Sequence, residues 1–287
     1  MVESRRTLSR LGRRDVNRGG IVAIGTCAAV LCASVASALP GVGDGAQANA
    51  PATRGTMVQV TPTLPPPIPR VLLIGDSSLE GIKFYSHALD ALGGMTYVLD
   101  AESCRRLVRA SCHSLAGNTP NTALEAIAGS PGSFDAVVVG TGYNEGSNLF
   151  GQNFDLIVAA ARAKGAVRIV WINYRLRDGL TRGGTDNNGS YVSNNATLFQ
   201  KVASGAYPDV FIANWRDYSA PDRSWFVSDG IHYQPTGALG SADYLSRWIT
   251  YLFDEPCPKP MTVGGPIDNP CTPPDGTTPP DVRALYG

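Results

Sequence analysis

Three short polar segments, each beside or after an apolar run, carry residue types that can cleave an acyl bond. Val71-Leu72-Leu73-Ile74 leads into Gly75-Asp76-Ser77-Ser78, and Ala136-Val137-Val138-Val139 leads into Gly140-Thr141-Gly142-Tyr143-Asn144-Glu145. Much later, Ser228-Asp229-Gly230-Ile231-His232 sets a carboxylate three residues before an imidazole. A hydroxyl nucleophile needs a base to take its proton and a carboxylate to fix the tautomer of that base. Donors aimed at the developing oxyanion complete such a site, and an Asn amide is a suitable one. Gly-Asp-Ser alone reads first as a strand end whose Asp or Ser caps the next helix. The three segments together, in this order, point to acyl chemistry.

The elements that must position these residues are also legible. Short apolar runs bounded by turn residues predict strands over 71–74, 95–99, 136–139, 167–173 and 209–213. Between them, helical spacing predicts helices over 79–92, with a stripe of Leu79, Ile82, Phe84, Ala88, Leu89 and Leu92, and over 121–128 and 154–163. Lys164-Gly165 is a stop signal, and Pro235 opens a closing helix over 236–253. Repeated strand–helix units imply parallel strands joined by right-handed crossovers. The expected fold is therefore α/β: a three-layer α/β/α sandwich around a flavodoxin-like parallel sheet, whose carboxyl edge is where such folds place ligands. The stretch 182–190, Arg-Gly-Gly-Thr-Asp-Asn-Asn-Gly-Ser, reads as a polar loop.

Gly75-Asp76-Ser77, Gly142-Tyr143-Asn144-Glu145 and Asp229-Gly230-Ile231-His232 resemble the first, third and fifth blocks of the SGNH (GDSL-like) hydrolase family. The resemblance spans roughly Arg70 to Phe253. It implies that Ser77 is the nucleophile, that His232 is the base, that Asp229 orients it, and that Asn144 donates to the oxyanion. The second block departs from the family pattern. Asp100-Ala101-Glu102-Ser103-Cys104-Arg105 resembles the Asp-Ala-x-x-Gly-Arg version found in SGNH domains of cell-envelope acyltransferases, with Cys104 at the Gly position. The oxyanion hole implied is the Ser77 N–H, the Cys104 N–H and the Asn144 amide, with Gly117 the alternative to Cys104. Glu145 stands where Asp is more frequent. The function implied is a serine esterase that hydrolyses or transfers an acyl group, with O-acetyl on cell-wall glycan as the expected substrate. The alternative is a catalytically silent carbohydrate-binding module on the same fold.

Other residues weigh less. His87 and His113 read as surface or packing residues, and Trp171 as core. Asn173 and Arg175, after a strand end, are candidates to line the cleft, and Trp225 and Tyr233 to wall it or to pack its loop.

Composition excludes several classes. Lys+Arg 24 balances Asp+Glu 24, with no basic stripe to follow a phosphate backbone, so nucleic acid is not an expected partner. Three His and no ligand-spaced cluster give no metal site, and no dinucleotide or phosphate-loop fingerprint calls for a cofactor.

Residues 1–50 read as an export signal or signal anchor. Arg5, Arg6, Arg10, Arg13, Arg14 and Arg18 precede an uncharged run from Ile21 to Leu39, and small-residue cleavage sites follow. The expected location is secreted or in the cell envelope, with membrane contact only if this segment stays uncleaved. Residues 51–69 form a Pro-rich linker, 70–254 the hydrolase-like domain and 255–287 a Pro-rich tail. Loss of the signal leaves Cys104, Cys112, Cys257 and Cys271 for an oxidising compartment. Three pairings are open, and proximity favours Cys104–Cys112 and Cys257–Cys271.

Overall fold

In a computed structural model the described residues are 67–258, apart from Ser86, Leu115 and 179–187, together with Cys271, Pro274 and Asp275. The expected export segment and almost all of the expected linker, and most of the tail, lie outside them.

Five parallel strands form the sheet: β1 (Arg70–Gly75), β2 (Thr96–Ala101), β3 (Ala136–Gly140), β4 (Arg168–Ile172) and β5 (Val210–Ala213), in the order β2-β1-β3-β4-β5. This is the flavodoxin-like order expected, with helices α1 (Ser77–Phe84), α2 (Ala123–Gly129), α3 (Phe150–Ala163) and α4 (Asn188–Ala203) in the crossovers, and the short α5 (Trp215–Tyr218) and α6 (Pro235–Leu252) after the last strand. The central strands β1, β3 and β4 are apolar on both faces because helices cover both. Val71 and Leu73 of β1, Ala136 and Val138 of β3 and Val170 of β4 pack with α1 and α6. Their neighbours Leu72, Ile74, Val137, Val139, Ile169 and Trp171 point to the other layer, against α2, α3 and α4.

Register fixes the functional edge. Gly75 lies opposite Ala101 on one side and Gly140 on the other, so three strands end level and release their loops at one edge. Gly75 and Gly140 lack side chains for a steric reason: a Cβ on either would come within 2.4 Å of the Leu79 side chain. Their absence lets α1 lie directly on the strand ends.

Several boundaries differ from the sequence expectation. The helix expected over 79–92 ends at Phe84, where Tyr85 turns extended, and His87 then takes a φ of 73°. Only a 3₁₀ turn at Leu89–Ala91 follows. Phe84 and Leu89, counted in the stripe, are exposed, so the apparent period joined two separately packed segments. α2 starts at Ala123, behind a capping box in which Thr122 and Glu125 satisfy each other's backbone N–H. α3 begins four residues earlier than expected, at Phe150. Asn188, Gly189 and Ser190, read as part of a loop, open α4, while 179–187 lie outside the described residues.

Candidate active site

Ser77 is the first residue of α1, and Asp76 before it is the N-cap. Asp76 is fully buried and its carboxylate is saturated. Oδ1 accepts from the Ser78 N–H at 3.1 Å and hydroxyl at 3.0 Å, and Oδ2 from the Gly142 N–H at 3.1 Å and the Tyr143 N–H at 3.2 Å. Burial pushes its pKa up, and these four donors act in the opposite direction. Asp76 thus fastens the turn carrying Ser77 to the loop carrying Asn144. From the sequence, Asp76 reads only as a helix cap. As N1 of a helix, the Ser77 N–H lies among the terminal donors without an intrahelical acceptor.

The loop before α6 delivers the base. Phe226 bridges Tyr233, and the Val227 N–H donates to the His232 carbonyl at 2.9 Å, closing a tight turn around 228–231. Within it, Asp229 Oδ1 accepts from the Ile231 and His232 N–H groups at 2.9 and 3.0 Å. Asp229 Oδ2 lies 2.5 Å from His232 Nδ1, and His232 Nε2 lies 2.9 Å from Ser77 Oγ. Residues 155 positions apart therefore form one hydrogen-bonded series, Ser77–His232–Asp229. Burial opposes the Asp229 charge, but the His232 hydrogen bond and the two backbone donors outweigh it and hold the carboxyl well below its usual range. The Asp229 hydrogen bond raises the pKa of His232; partial burial opposes this, the charges of Asp229 and Asp76 add to it, and the charge of Arg177 subtracts. Arg175, nine-tenths buried, braces the same turn. Its Nε donates to the Gly230 carbonyl at 2.8 Å and its Nη1 to the Ser219 carbonyl at 3.0 Å.

After β2 the chain enters the segment in which Cys104 occupies the expected Gly position. Cys104 has a φ of 70°, in the left-handed region that favours Gly, so the backbone keeps the Gly conformation despite the side chain. The Cys104 N–H has no acceptor among the described residues. By contrast, the Gly117 N–H donates to the Ser114 carbonyl at 3.0 Å. Asn144 Nδ2 donates to the Arg105 carbonyl at 3.2 Å, so the loop after β3 grips this segment directly. Glu145 grips it again through the Leu107 N–H at 2.7 Å and is backed by the Asn153 amide at 3.4 Å. Burial raises the pKa of Glu145. Glu80 of α1 accepts from the Ser103 N–H at 2.9 Å, and Arg105, almost wholly buried, reaches Asp100 at 2.5 Å. Glu80 and Arg105 went unassigned in the sequence because nothing local marks a residue whose partner lies on another element.

Cys104 and Cys112 are at disulfide distance, with Cα atoms 5.3 Å apart, and so are Cys257 and Cys271, at 4.7 Å. Asp275, just past the second pair, accepts from the Asn214 N–H at 3.0 Å and the Tyr244 hydroxyl at 2.5 Å, seating this part of the tail between the end of β5 and α6.

Several candidates fall outside the site. His87 is not on a helix but in an exposed turn with Asp90, and His113 is exposed beside Thr119. Asn173 is buried, donating to Asn214 at 2.6 Å and accepting from the Arg216 N–H at 2.9 Å, and borders only a small internal void of about 10 Å³. The buried Arg175 likewise faces the 230 turn rather than open space. Trp225 and Tyr233 are buried around Trp215 and pack the loop, and Tyr233 also borders the same small void of about 10 Å³ beside Tyr143. Among the described residues, no His, Cys, Asp and Glu group is arranged to hold a metal ion, and no helix is long and apolar enough to cross a membrane.

No family model and no curated protein matches the chain. Solved structures do. A carbohydrate acetylesterase from Sinorhizobium meliloti is similar at 15% identity and a TM-score of 0.47, over 64% of this chain and 100% of that one. An aryl esterase of M. smegmatis aligns at 13% identity and a TM-score of 0.46, over 63% and 98%. A lipase/acylhydrolase from Enterococcus faecalis aligns at 14% and 0.44, over 63% and 95%.

Proposed function

We propose that this protein is an exported serine esterase of the SGNH type acting on acyl esters of carbohydrate, O-acetyl groups foremost. The single observation that carries the reading is the Ser77 Oγ–His232 Nε2 contact of 2.9 Å backed by the Asp229–His232 pair. Ser77 attacks the acyl carbonyl as His232 takes its proton. The Ser77 N–H, the Cys104 N–H and the Asn144 amide receive the oxyanion. The sugar alcohol leaves with the proton from His232, and water, activated by the same imidazole, releases acetate from Ser77. Transfer is the same second step with a carbohydrate hydroxyl in place of water. The left-handed backbone at Cys104 supports this reading over a silent binding module, because it preserves the one feature of the segment that the donor role requires. A fluorophosphonate probe tests it: wild type labels and Ser77→Ala does not. A wild type that never labels favours the binding module.

The base must be neutral to act, so kcat/KM declines as pH drops through the pKa of His232. Because Asp229 raises that pKa, the acid limb is expected above the ordinary value of about 6.5. Asp229→Asn is expected to move the limb of its residual activity downward. A pH–rate profile with p-nitrophenyl acetate measures both, and a wild-type limb at or below the ordinary value contradicts the assignment.

The disulfide distances carry a second expectation. Mass spectrometry of nonreduced mature protein is expected to find no free thiol at Cys104 or Cys112. Reduction is expected to lower activity more than it lowers Tm, since the Cys104–Cys112 loop holds a donor rather than the core. Free Cys104 in protein taken from culture medium counts against this.

A further inference from the structure

Beside Asn144 opens a cleft of about 350 Å³, lined among others by Arg106, Tyr143, Asn144, Glu145, Arg177 and Tyr191. That volume lies at the lower end of the range for small-ligand sites. Arg106 comes from the segment after β2 and Arg177 from the segment after β4, strands that flank β1 and β3 in the sheet. Arg105, Arg162, Arg223 and Arg247 each sit against a carboxylate. Arg106 and Arg177 make no direct ion pair with a carboxylate among the described residues. Glu145 feels the charge of Arg106 without contacting it as an ion pair, and the Arg106 Nε–H is buried without an acceptor. A buried donor left unmatched is costly, and a ligand that accepts from it removes the cost.

Both arginines rise from fixed backbone. The Arg177 N–H donates to Asn188 Oδ1 at 2.7 Å, the Asn188 amide returns to the Arg177 carbonyl at 3.1 Å, and the Arg177 Nε reaches the Tyr191 hydroxyl at 3.4 Å. The Arg106 N–H donates to Ser111 Oγ at 3.2 Å, and its carbonyl accepts from the Ala123 N–H at 2.8 Å. The one acidic side chain lining the cleft, Glu145, is nearly buried, with its oxygens taken by Leu107 and Asn153. The cleft also adjoins the triad. Asn144 lines it, and the charge of Arg177 is felt at His232.

We propose that this cleft binds an anionic oxyacid group of the substrate, a carboxylate or a phosphate, through Arg106 and Arg177, so that the preferred substrates are esters of acidic rather than neutral sugars. The inference rests on the esterase reading. The planar guanidinium fork matches either oxyacid bidentately.

A matched ester pair tests it: 3-acetoxybenzoate, which carries the charge, and 3-acetoxybenzamide, which does not. The readout is the ratio of their kcat/KM values in wild type, Arg106→Gln, Arg177→Gln and the double variant. The double variant is expected to lower the ratio by roughly tenfold or more, through KM. Added salt is expected to lower the wild-type ratio too, by screening. Arg106→Lys and Arg177→Lys, which keep the charge, are expected to retain part of the preference. A ratio unmoved by the double variant overturns the proposal. Ligand-observed NMR with glucuronate, glucose 6-phosphate and glucose runs in parallel and needs no turnover. Binding of either acid in preference to glucose, lost in Arg177→Gln, supports the proposal and identifies the oxyacid. No preference for either acid overturns it. If wild type cleaves neither acetoxy ester, the esterase reading fails, and the NMR result alone decides whether the cleft is an anion site.

Discussion

Ser77→Ala and His232→Ala are each expected to abolish nearly all hydrolysis of p-nitrophenyl acetate, a loss on the order of 10⁴-fold or more. The double variant is expected to be scarcely worse than either single one, because a nucleophile without its base and a base without its nucleophile are equally idle. Asp229→Ala is expected to cost less, since the imidazole still reaches Ser77 Oγ once its orienting partner is gone. The Asp229 result needs a fold check, because Oδ1 also holds the Ile231 and His232 N–H groups and so shapes the turn itself. Far-UV circular dichroism and Tm separate a misplaced His232 from a lost carboxylate. Ser77 sits partly exposed at the start of α1 and makes no hydrogen bond to the core, so Ser77→Ala is expected to keep wild-type stability. Most of the hydrolysis surviving in a folded Ser77→Ala protein contradicts the mechanism.

The strands of this fold and the order of its polar segments were legible because both are local. A β-branched run such as Val137-Val138-Val139 has few ways to hide its apolar surface except inside a covered sheet. The residues expected to do chemistry follow such runs or the closing turn, where the chain reverses. α4 was not legible, for a physical reason. Its inward positions Tyr191, Asn194, Asn195 and Leu198 do keep helical spacing, but two of the four are Asn. Asn195 is inside because its amide accepts from the Tyr174 N–H at 2.8 Å and donates to the Tyr174 carbonyl at 2.7 Å, a tertiary bond invisible to any period of hydrophobicity. Arg175 misled in the opposite sense. A charged residue after a strand end suggests a cleft, yet its hydrogen bonds run to Gly230 and Ser219, and its guanidinium lies 4.2 Å from the Phe226 ring centroid. The pairing of cysteines was open by counting alone and followed proximity once the loops were placed.

The donor set around the oxyanion is where one substitution separates two accounts. Asn144→Ala is expected to cost roughly 10²–10³ in kcat, about 2.7–4 kcal/mol, in a folded protein. Asn144 gives one N–H to the Arg105 carbonyl and has a second to give to a transition state. Its loss therefore removes a donor and also loosens the segment carrying Cys104. A substitution at residue 104 tells these effects apart. If that residue donates only through its backbone, Cys104→Gly in a Cys112→Ser background is expected to keep activity, apart from what the lost crosslink removes. Glycine adopts the φ of 70° without the steric cost that a side chain bears there. A folded Cys104→Gly, Cys112→Ser protein that loses the turnover Cys112→Ser alone retains makes the Cys104 side chain the active feature and refutes the backbone account. An Asn144→Ala protein with unchanged kcat leaves Asn144 a loop clamp, and the oxyanion then rests on the Ser77 and Cys104 N–H groups alone.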